Sequence, residues 1–298
     1  MSHAPSAHPA TTPKAVIVVS SHVVRGSVGN RAAVFALETL GNPVWAVPTV
    51  ILPWHPGHGR ATRIVLAAEQ FAALMHDLES APWLGEVAGV LSGYLGDVEQ
   101  VTALKSLVSA VRTNNPNALY VCDPVMGDLG GLYVKQELAE RIRDELMPIA
   151  DIATPNRYEL AWMVGRDLPD LRVTAEAASE FAPTNLLVTS APAMMKNFTG
   201  NLLISGANAW LAEHHIIPNP PNGLGDLTGA VFLARLLAGQ AMDKALQTTT
   251  AAVFEILART TRRGGDELQL ETDAQSLSHP MAMVQMRRVS IPGTGRRA

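Results

Sequence analysis

Residues 15–41 read AVIVVSSHVVRGSVGNRAAVFALETLG. The stretch opens on five consecutive apolar residues, 15–19, with none of the alternation of a half-exposed strand. That is the pattern of a strand buried on both faces, as in a parallel sheet. Ser20, Ser21 and His22 end the run, and a glycine-spaced loop follows. Residues 31–40 carry a helical pattern, closed by Gly41 where a C′ glycine belongs. The next apolar run is 44–47. Strand, loop, helix and strand in this order form the repeating unit of an α/β fold.

The beat recurs outward from there. Residues 87–91 (VAGVL) run into SGYLGD and a helical segment over 98–111. Residues 118–122 (ALYVC) run into DPVMGD and a helix over 135–146, and residues 186–189 form another apolar run that ends at Thr189 and Ser190. Late in the chain, residues 201–204 and 210–217 read as two strands joined through Gly206-Ala207-Asn208, followed by helices over 226–238 and 243–261. There is no internal repeat and no long linker, so one domain is expected over residues 14–286. A disordered tail is expected over 1–13 and a mobile, Arg- and Gly-rich tail over 287–298. Trp45, Trp83 and the single cysteine, Cys122, are expected in the core, the tryptophans alternatively at an interface.

Composition narrows the function classes. The chain has 298 residues, 47% hydrophobic and 17% charged, with a formal net charge of -4. It is too apolar and too weakly charged for a disordered protein, and it lacks the basic footprint of a nucleic-acid binder. No apolar run approaches the ~18 residues of a membrane span, and the start, MSHAPSAHPATTPK, lacks a signal-peptide layout. A single cysteine excludes an intrachain disulfide and fits a reducing compartment, so a cytoplasmic protein is expected.

In an open α/β sheet, ligands bind outside the carboxyl ends of the strands. The segments that follow the apolar runs are SSHVVRGSVGN, PTVILPWHPGHG, LSGYLGD, CDPVMGD, ATPNRYE and VTSA, and they gather glycines, acids, hydroxyls and histidines. The sharpest candidate lies further on, where Pro221-Asn222-Gly223-Leu224-Gly225-Asp226 opens the apolar helix that contains VFLARLLAG. The first N–H groups of a helix have no intrahelical partner and the dipole is positive there, which makes an anion site. Asp is also a good N-cap, and by itself the segment fits a plain turn equally well.

Taken together, these segments resemble the pyridoxal kinases of the ribokinase-like superfamily over about residues 16–257. Gly223-Leu224-Gly225-Asp226 looks like the superfamily's anion hole and catalytic base. Ser21-His22-Val23-Val24 with Gly26, Val28, Gly29 and Asn30, together with Gly93-Tyr94-Leu95-Gly96 and Asp123-Pro124-Val125-Met126-Gly127, point to the pyridoxal branch. The resemblance implies a ribokinase-like three-layer α/β/α sandwich with a mostly parallel central sheet. It implies ATP-dependent phosphorylation of the 5′ hydroxymethyl group of pyridoxal, with pyridoxine and pyridoxamine as further substrates. Mg²⁺, a monovalent cation such as K⁺, and a homodimer belong to the same expectation.

Residue by residue, the resemblance makes Asp226 the base that takes the alcohol proton. The N–H groups of Leu224, Gly225 and Asp226 would face the transferring phosphoryl group. Asp123 and Glu159 would hold Mg²⁺, with Asp128 nearby; the alternatives are a turn-starting Asp and a solvated helix-start Glu. Thr154, Asn156, Thr189, Ser190 and Tyr133 would contact the nucleotide, although Thr154 and Asn156 could also cap the following helix and Tyr133 could simply pack. Tyr94 would stack on the pyridine ring, Ser21 bond it, Val28, Thr49 and Val50 line its slot, and His55 reach a ring hydroxyl.

The chain departs from the family at Asn222, in the loop from Gly127 to Gly131 and, above all, in the loop after the second strand. The family's phenylalanine–serine–asparagine–histidine–threonine stretch is here Leu52-Pro53-Trp54-His55-Pro56, which keeps only the histidine and adds two stiffening prolines. Altered or weaker pyridoxal affinity is therefore expected. The rivals are a related kinase acting on hydroxymethylpyrimidine and a non-catalytic protein that binds pyridoxal phosphate. A dinucleotide oxidoreductase is disfavoured because no G-x-G-x-x-G follows the first strand.

Overall fold

The computed structural model describes residues 14–181 and 185–291. The expected tail over 1–13, and residues 292–298 of the other, lie outside the described residues. The strands are β1 (Ala15–Val23), β2 (Val44–Leu52), β3 (Ile64–Val65), β4 (Val87–Ser92), β5 (Leu119–Cys122), β6 (Gly127–Asp128), β7 (Gly131–Leu132), β8 (Ile152–Ala153), β9 (Asn185–Pro192), β10 (Phe198–Ser205), β11 (Asn208–His215) and β12 (Gln285–Arg288). The helices are α1 (Asn30–Thr39), α2 (Ala68–Glu79), α3 (Glu99–Asn114), α4 (Gln136–Arg141), α5 (Arg157–Val164), α6 (Leu171–Glu180), α7 (Leu224–Leu237), α8 (Met242–Arg262) and α9 (Ala274–Ser278).

Ten strands form one sheet in the order β12-β11-β10-β9-β8-β5-β4-β1-β2-β3. The run from β2 to β9 is parallel, and antiparallel strands close both edges. The apolar run at 15–19 explains why helices cover both faces. Val16 and Val18 join a core with α1, α7 and α8, while Ile17 and Val19 join the opposite core with α2 to α6. Successive side chains on a strand point to opposite faces, so an unbroken apolar strand requires two helical layers. The result is the expected three-layer α/β/α sandwich.

The sheet order also locates a crevice. From β1 the chain passes to β2 on one side, and to β4 on the other, so the strand order reverses between β1 and β4. Ligands of open α/β sheets bind at such a switch point, beyond the carboxyl ends of the strands. Ser20 and Ser92 lie at those ends.

Several expected boundaries move. The second strand runs on to Leu52 through Pro48, so Thr49 and Val50 are strand residues and not part of a loop. Pro48, which has no N–H, sits beside the irregularity between Ser20 and His22 where the β1–β2 ladder shifts register. The helix expected over 135–146 is α-helical only to Arg141 and continues as a π turn, Ile142–Leu146. The domain end expected at 286 falls inside β12, whose Arg287 and Arg288 pair with β11. Trp83 is 61% exposed and lies outside the core, whereas Trp45 packs against it and Cys122 is buried within it.

Candidate active site

The start of α7 is shaped by two glycines. Gly223 precedes the helix in the left-handed region, at φ 91°. A Cβ there would lie 2.1 Å from the Ser27 carbonyl oxygen, so only glycine fits against the first loop. The first hydrogen bond back along the helix runs from Leu227 N to Gly223 O at 3.0 Å. The N–H groups of Leu224, Gly225 and Asp226 therefore lack intrahelical acceptors, and the helix dipole adds its positive end there.

Asp226 lies beside them, partly buried. Burial pushes its carboxyl up to about 6, although the N–H groups of Gly29 and of Asp226 itself favour the charged form. Gly29 makes room for this approach, since a Cβ on it would meet the Ser21 carbonyl at 2.3 Å. A carboxyl poised near neutrality suits general-base work. Between Asp226 and the sheet lies a cavity of about 10 Å³, lined in part by Ser20, Ser92, Gly93, Asp123 and Asp226. That is close to the space one water needs. It sits at the switch point described above.

Asp123 opens the loop after β5, and its N–H donates to Ser92 O at 2.8 Å. Burial first, and the Asp226 carboxylate second, push its carboxyl up to about 8, opposed by the Thr154 hydroxyl, which donates to Oδ1 at 3.0 Å. Glu159 is raised well above the ordinary range by burial and by Asp123. It is not the solvated acid considered as an alternative, because it is 4% exposed. Its Oε1 accepts from the N–H of Met126 at 3.0 Å, and its Oε2 from the N–H of Asn156 at 2.8 Å. Asn156 completes a capping box on α5 and donates from Nδ2 to Gly127 O at 2.8 Å. Thus Glu159 and Asn156 together fix the 126–127 turn, and Asn156 does cap the helix.

Asp128 lies on the exposed β6–β7 hairpin, where its carboxylate accepts from Gly130 N at 2.7 Å. Tyr133 follows, half exposed, its N–H bonded to Met126 O at 3.0 Å. Thr189 is tied to Pro155 O by its N–H at 2.9 Å, which brings the ends of β8 and β9 together. Ser190 takes a left-handed conformation, φ 53°, where the β9–β10 register shifts. A non-glycine residue held there stores strain of the order of 1–3 kcal/mol, a feature that clusters at functional sites.

The residues expected around a ring slot converge on the neighbouring part of the edge. Ser21 lies near the end of β1, at the irregularity in its pairing with β2, which carries Thr49 and Val50. The three are buried, as is Val28, which packs beside Gly223. Thr49 does not offer its hydroxyl to the slot: Oγ1 donates to Tyr94 O at 2.6 Å. Tyr94 is also held through its N–H, which donates to Ser20 Oγ at 3.1 Å, and its phenol oxygen accepts from Arg63 at 3.3 Å. His55 is half-buried, and burial lowers its pKa, with the Glu267 charge opposing and His58 assisting. Its Nδ1 accepts from Gly57 N at 3.1 Å, which leaves Nε2 as the protonated, outward donor of the neutral ring.

Sequence reasoning missed Ser20, Ser92, Arg63 and Glu267. Serines end many strands, and Arg63 and Glu267 carry no local motif, so only the topology discloses them. It did assign Mg²⁺ to Asp123 and Glu159, through the family resemblance. Asp123 and Glu159 are buried and Asp226 is partly buried near them, and among the described residues no basic side chain pairs with the three. No group of three or more His, Cys, Asp or Glu among the described residues forms a complete metal cage. Hard oxygens in too small a number for a cage fit Mg²⁺, which keeps waters and shares phosphate oxygens.

Comparison with known proteins bears on the family and the fold. The sequence profile of the phosphomethylpyrimidine kinase family matches residues 66–270. A pyridoxal kinase PdxY of Rubrobacter xylanophilus is 38% identical over 282 residues, covering 92% of this chain and 97% of the relative. One from Deinococcus radiodurans is 36% identical over 294 residues, covering 94% and 98%. Among solved structures, pyridoxal kinase from Leishmania donovani in complex with ADP and pyridoxine superposes with a TM-score of 0.86 at 29% identity, covering 92% and 98% of the two chains.

Proposed function

This chain belongs to the pyridoxal kinase family, and on that premise we propose that it transfers the γ-phosphoryl group of ATP to the 5′ hydroxymethyl group of pyridoxal, yielding pyridoxal 5′-phosphate and ADP. The observation that carries the reading is the convergence of a partly buried acid, Asp226, with the N–H groups of Leu224, Gly225 and Asp226, which lack intrahelical acceptors, at the switch point of the sheet. Asp226 accepts the proton of the alcohol as its oxygen bonds to the γ-phosphorus and the bond to the β-phosphate oxygen breaks. The N–H groups hold the charge on the phosphoryl oxygens, where preorganised donors act most strongly. Ser21, Val28, Val50, His55 and Tyr94 bind and orient the ring, and Thr49 keeps Tyr94 in place. Thr154, Asn156, Tyr133, Thr189 and Ser190 flank the nucleotide. Asp123 and Glu159 would hold Mg²⁺, Glu159 by fixing the turn beside it, with Asp128 near, and a metal held there would supply neutralisation of phosphate charge. A monovalent cation such as K⁺ belongs to the same reading.

Pro56 replaces the hydroxyl that the family's threonine supplies, so weaker pyridoxal binding is expected. A coupled ADP-release assay over pyridoxal, pyridoxine, pyridoxamine and hydroxymethylpyrimidine tests the proposal. The expected result is turnover with B6 vitamers, pyridoxal foremost. A clear preference for hydroxymethylpyrimidine, which the matching family's name would favour, makes the chain a pyrimidine kinase. Binding of pyridoxal phosphate without any turnover makes it a binding protein.

A further inference from the structure

The segment after α8 has no motif and reads as a polar remainder, yet it returns to the substrate side of the sheet. Leu268 and Leu270 are each 2% exposed and root it in the core shared by α1, α7 and α8. Arg263 pairs with Asp273, and the Thr260 hydroxyl accepts from Gln269 N at 3.2 Å, so both ends are tied down. Between these anchors stands Glu267, whose side chain is 11% exposed. Its Oε1 lies 2.7 Å from His58 Nε2 and 3.9 Å from the Arg25 guanidinium, and its Oε2 accepts from Ser27 N at 3.4 Å. Ser27 also donates from its hydroxyl to Leu268 O at 2.8 Å. Gly26 makes this possible: with φ 109°, it leaves the space where a Cβ would meet Glu267 Oε1 at 2.6 Å.

One carboxylate thus joins two loops that are remote in sequence, and each carries a wall of the ring slot. His58 is joined to His55 by a single 3-10 turn, Pro56–His58, with His58 N donating to His55 O at 2.9 Å. Two prolines stiffen that loop, so a fixed His58 leaves His55 little freedom. On the other side, Ser27 adjoins Val28 and its carbonyl abuts Gly223. We propose that Glu267 is a positioning residue for the vitamer, clamping the 25–28 and 55–58 loops so that His55 and Val28 keep their places around the ring. The inference rests on the pyridoxal kinase reading and extends it to a residue outside the motifs.

Steady-state kinetics of the full chain test it, with Glu267→Ala, Glu267→Gln, His58→Gln and the double variant. Glu267→Ala should raise the KM for pyridoxal by about tenfold, equivalent to about 1.4 kcal/mol of lost binding, while kcat and the KM for ATP stay within about twofold of the parent. Glu267→Gln, which keeps the shape and an accepting oxygen, should recover part of the loss. The double variant should be no worse than Glu267→Ala, because both changes cut the same link. Asp266→Ala, which removes only an exposed pair with Arg25, should change the KM by less than about twofold. A parallel rise in both KM values, a fall in kcat alone, or an unchanged KM for pyridoxal would overturn the inference. Should Glu267→Ala fail to fold, His58→Gln, on an exposed turn, carries the test by the same criteria. A parent protein with no turnover on any B6 vitamer would overturn the functional reading and this inference with it; normal parent turnover with insensitive variants overturns the inference alone.

Discussion

Asp226 sits where burial and backbone dipoles act in opposite senses, and burial prevails, leaving its carboxyl at about 6. A base must be ionised to act, so kcat/KM for pyridoxal should fall with unit slope as pH drops through about 6. A limb near pH ~4, the ordinary aspartate range, would show that the site is wetter than the structure indicates. The same shift has a stability consequence. The native state holds this proton more tightly than the unfolded chain, so stability declines as pH rises from 3.8 through about 6, and the full cost is present at neutrality. At about 1.4 kcal/mol per pKa unit that cost is at most about 3 kcal/mol. Asp226→Asn should therefore unfold at higher urea concentration than the parent at pH 7, and a lower midpoint would contradict the account. The acid itself was legible, because two glycines flank it at a helix start. Ser20 and Ser92, which line the same cavity, were not, because a serine at a strand end has no signature until the strand order is known.

At the scale of elements, α7 offers a controlled comparison. Gly223 and Gly239 flank the helix with φ 91° and 84°, but a Cβ at Gly239 meets nothing within 4 Å whereas one at Gly223 strikes Ser27. Both alanine variants carry the left-handed penalty of about 1–2 kcal/mol. Only Gly223→Ala should also displace the free N–H groups, and lose about 10²-fold or more in kcat, the scale of one lost oxyanion donor. Equal activity in the two variants, measured by ADP release, would remove α7 from the chemistry. The long apolar strands and the paired late helices were readable because their patterns are unbroken. Others were hidden for physical reasons. α2 buries only Phe71 and Met75 and has no side-chain cap, β8 is two residues long, and β12 is a polar edge strand held by its ladder with β11. Pro48 concealed the true length of β2, since a proline inside a parallel strand is tolerated only where the ladder is already irregular.

At the scale of the molecule, the fold delivers the site: the reversal of strand order opens a crevice, and six loop segments together with the start of α7 supply what lines it. The fold class and the proposed base could be read from sequence, but the carboxy-terminal strap carrying Glu267 could not, because its proposed role depends on contacts with residues more than two hundred positions away. Among the described residues no helix is long and apolar enough to cross a membrane. Val24, Ile51, Trp54 and Ile64 are exposed together around the β2–β3 edge. Such a patch suits a contact between copies, and we expect a homodimer by sedimentation velocity; a monomer at micromolar concentration would contradict that. The central claim, that Asp226 takes the alcohol proton during phosphoryl transfer, is tested most directly by rapid-quench single-turnover measurement of pyridoxal 5′-phosphate formation by Asp226→Asn with ATP and pyridoxal saturating. The account predicts a rate lower by about 10²- to 10⁴-fold with ATP affinity retained, and a rate equal to that of the parent would contradict it.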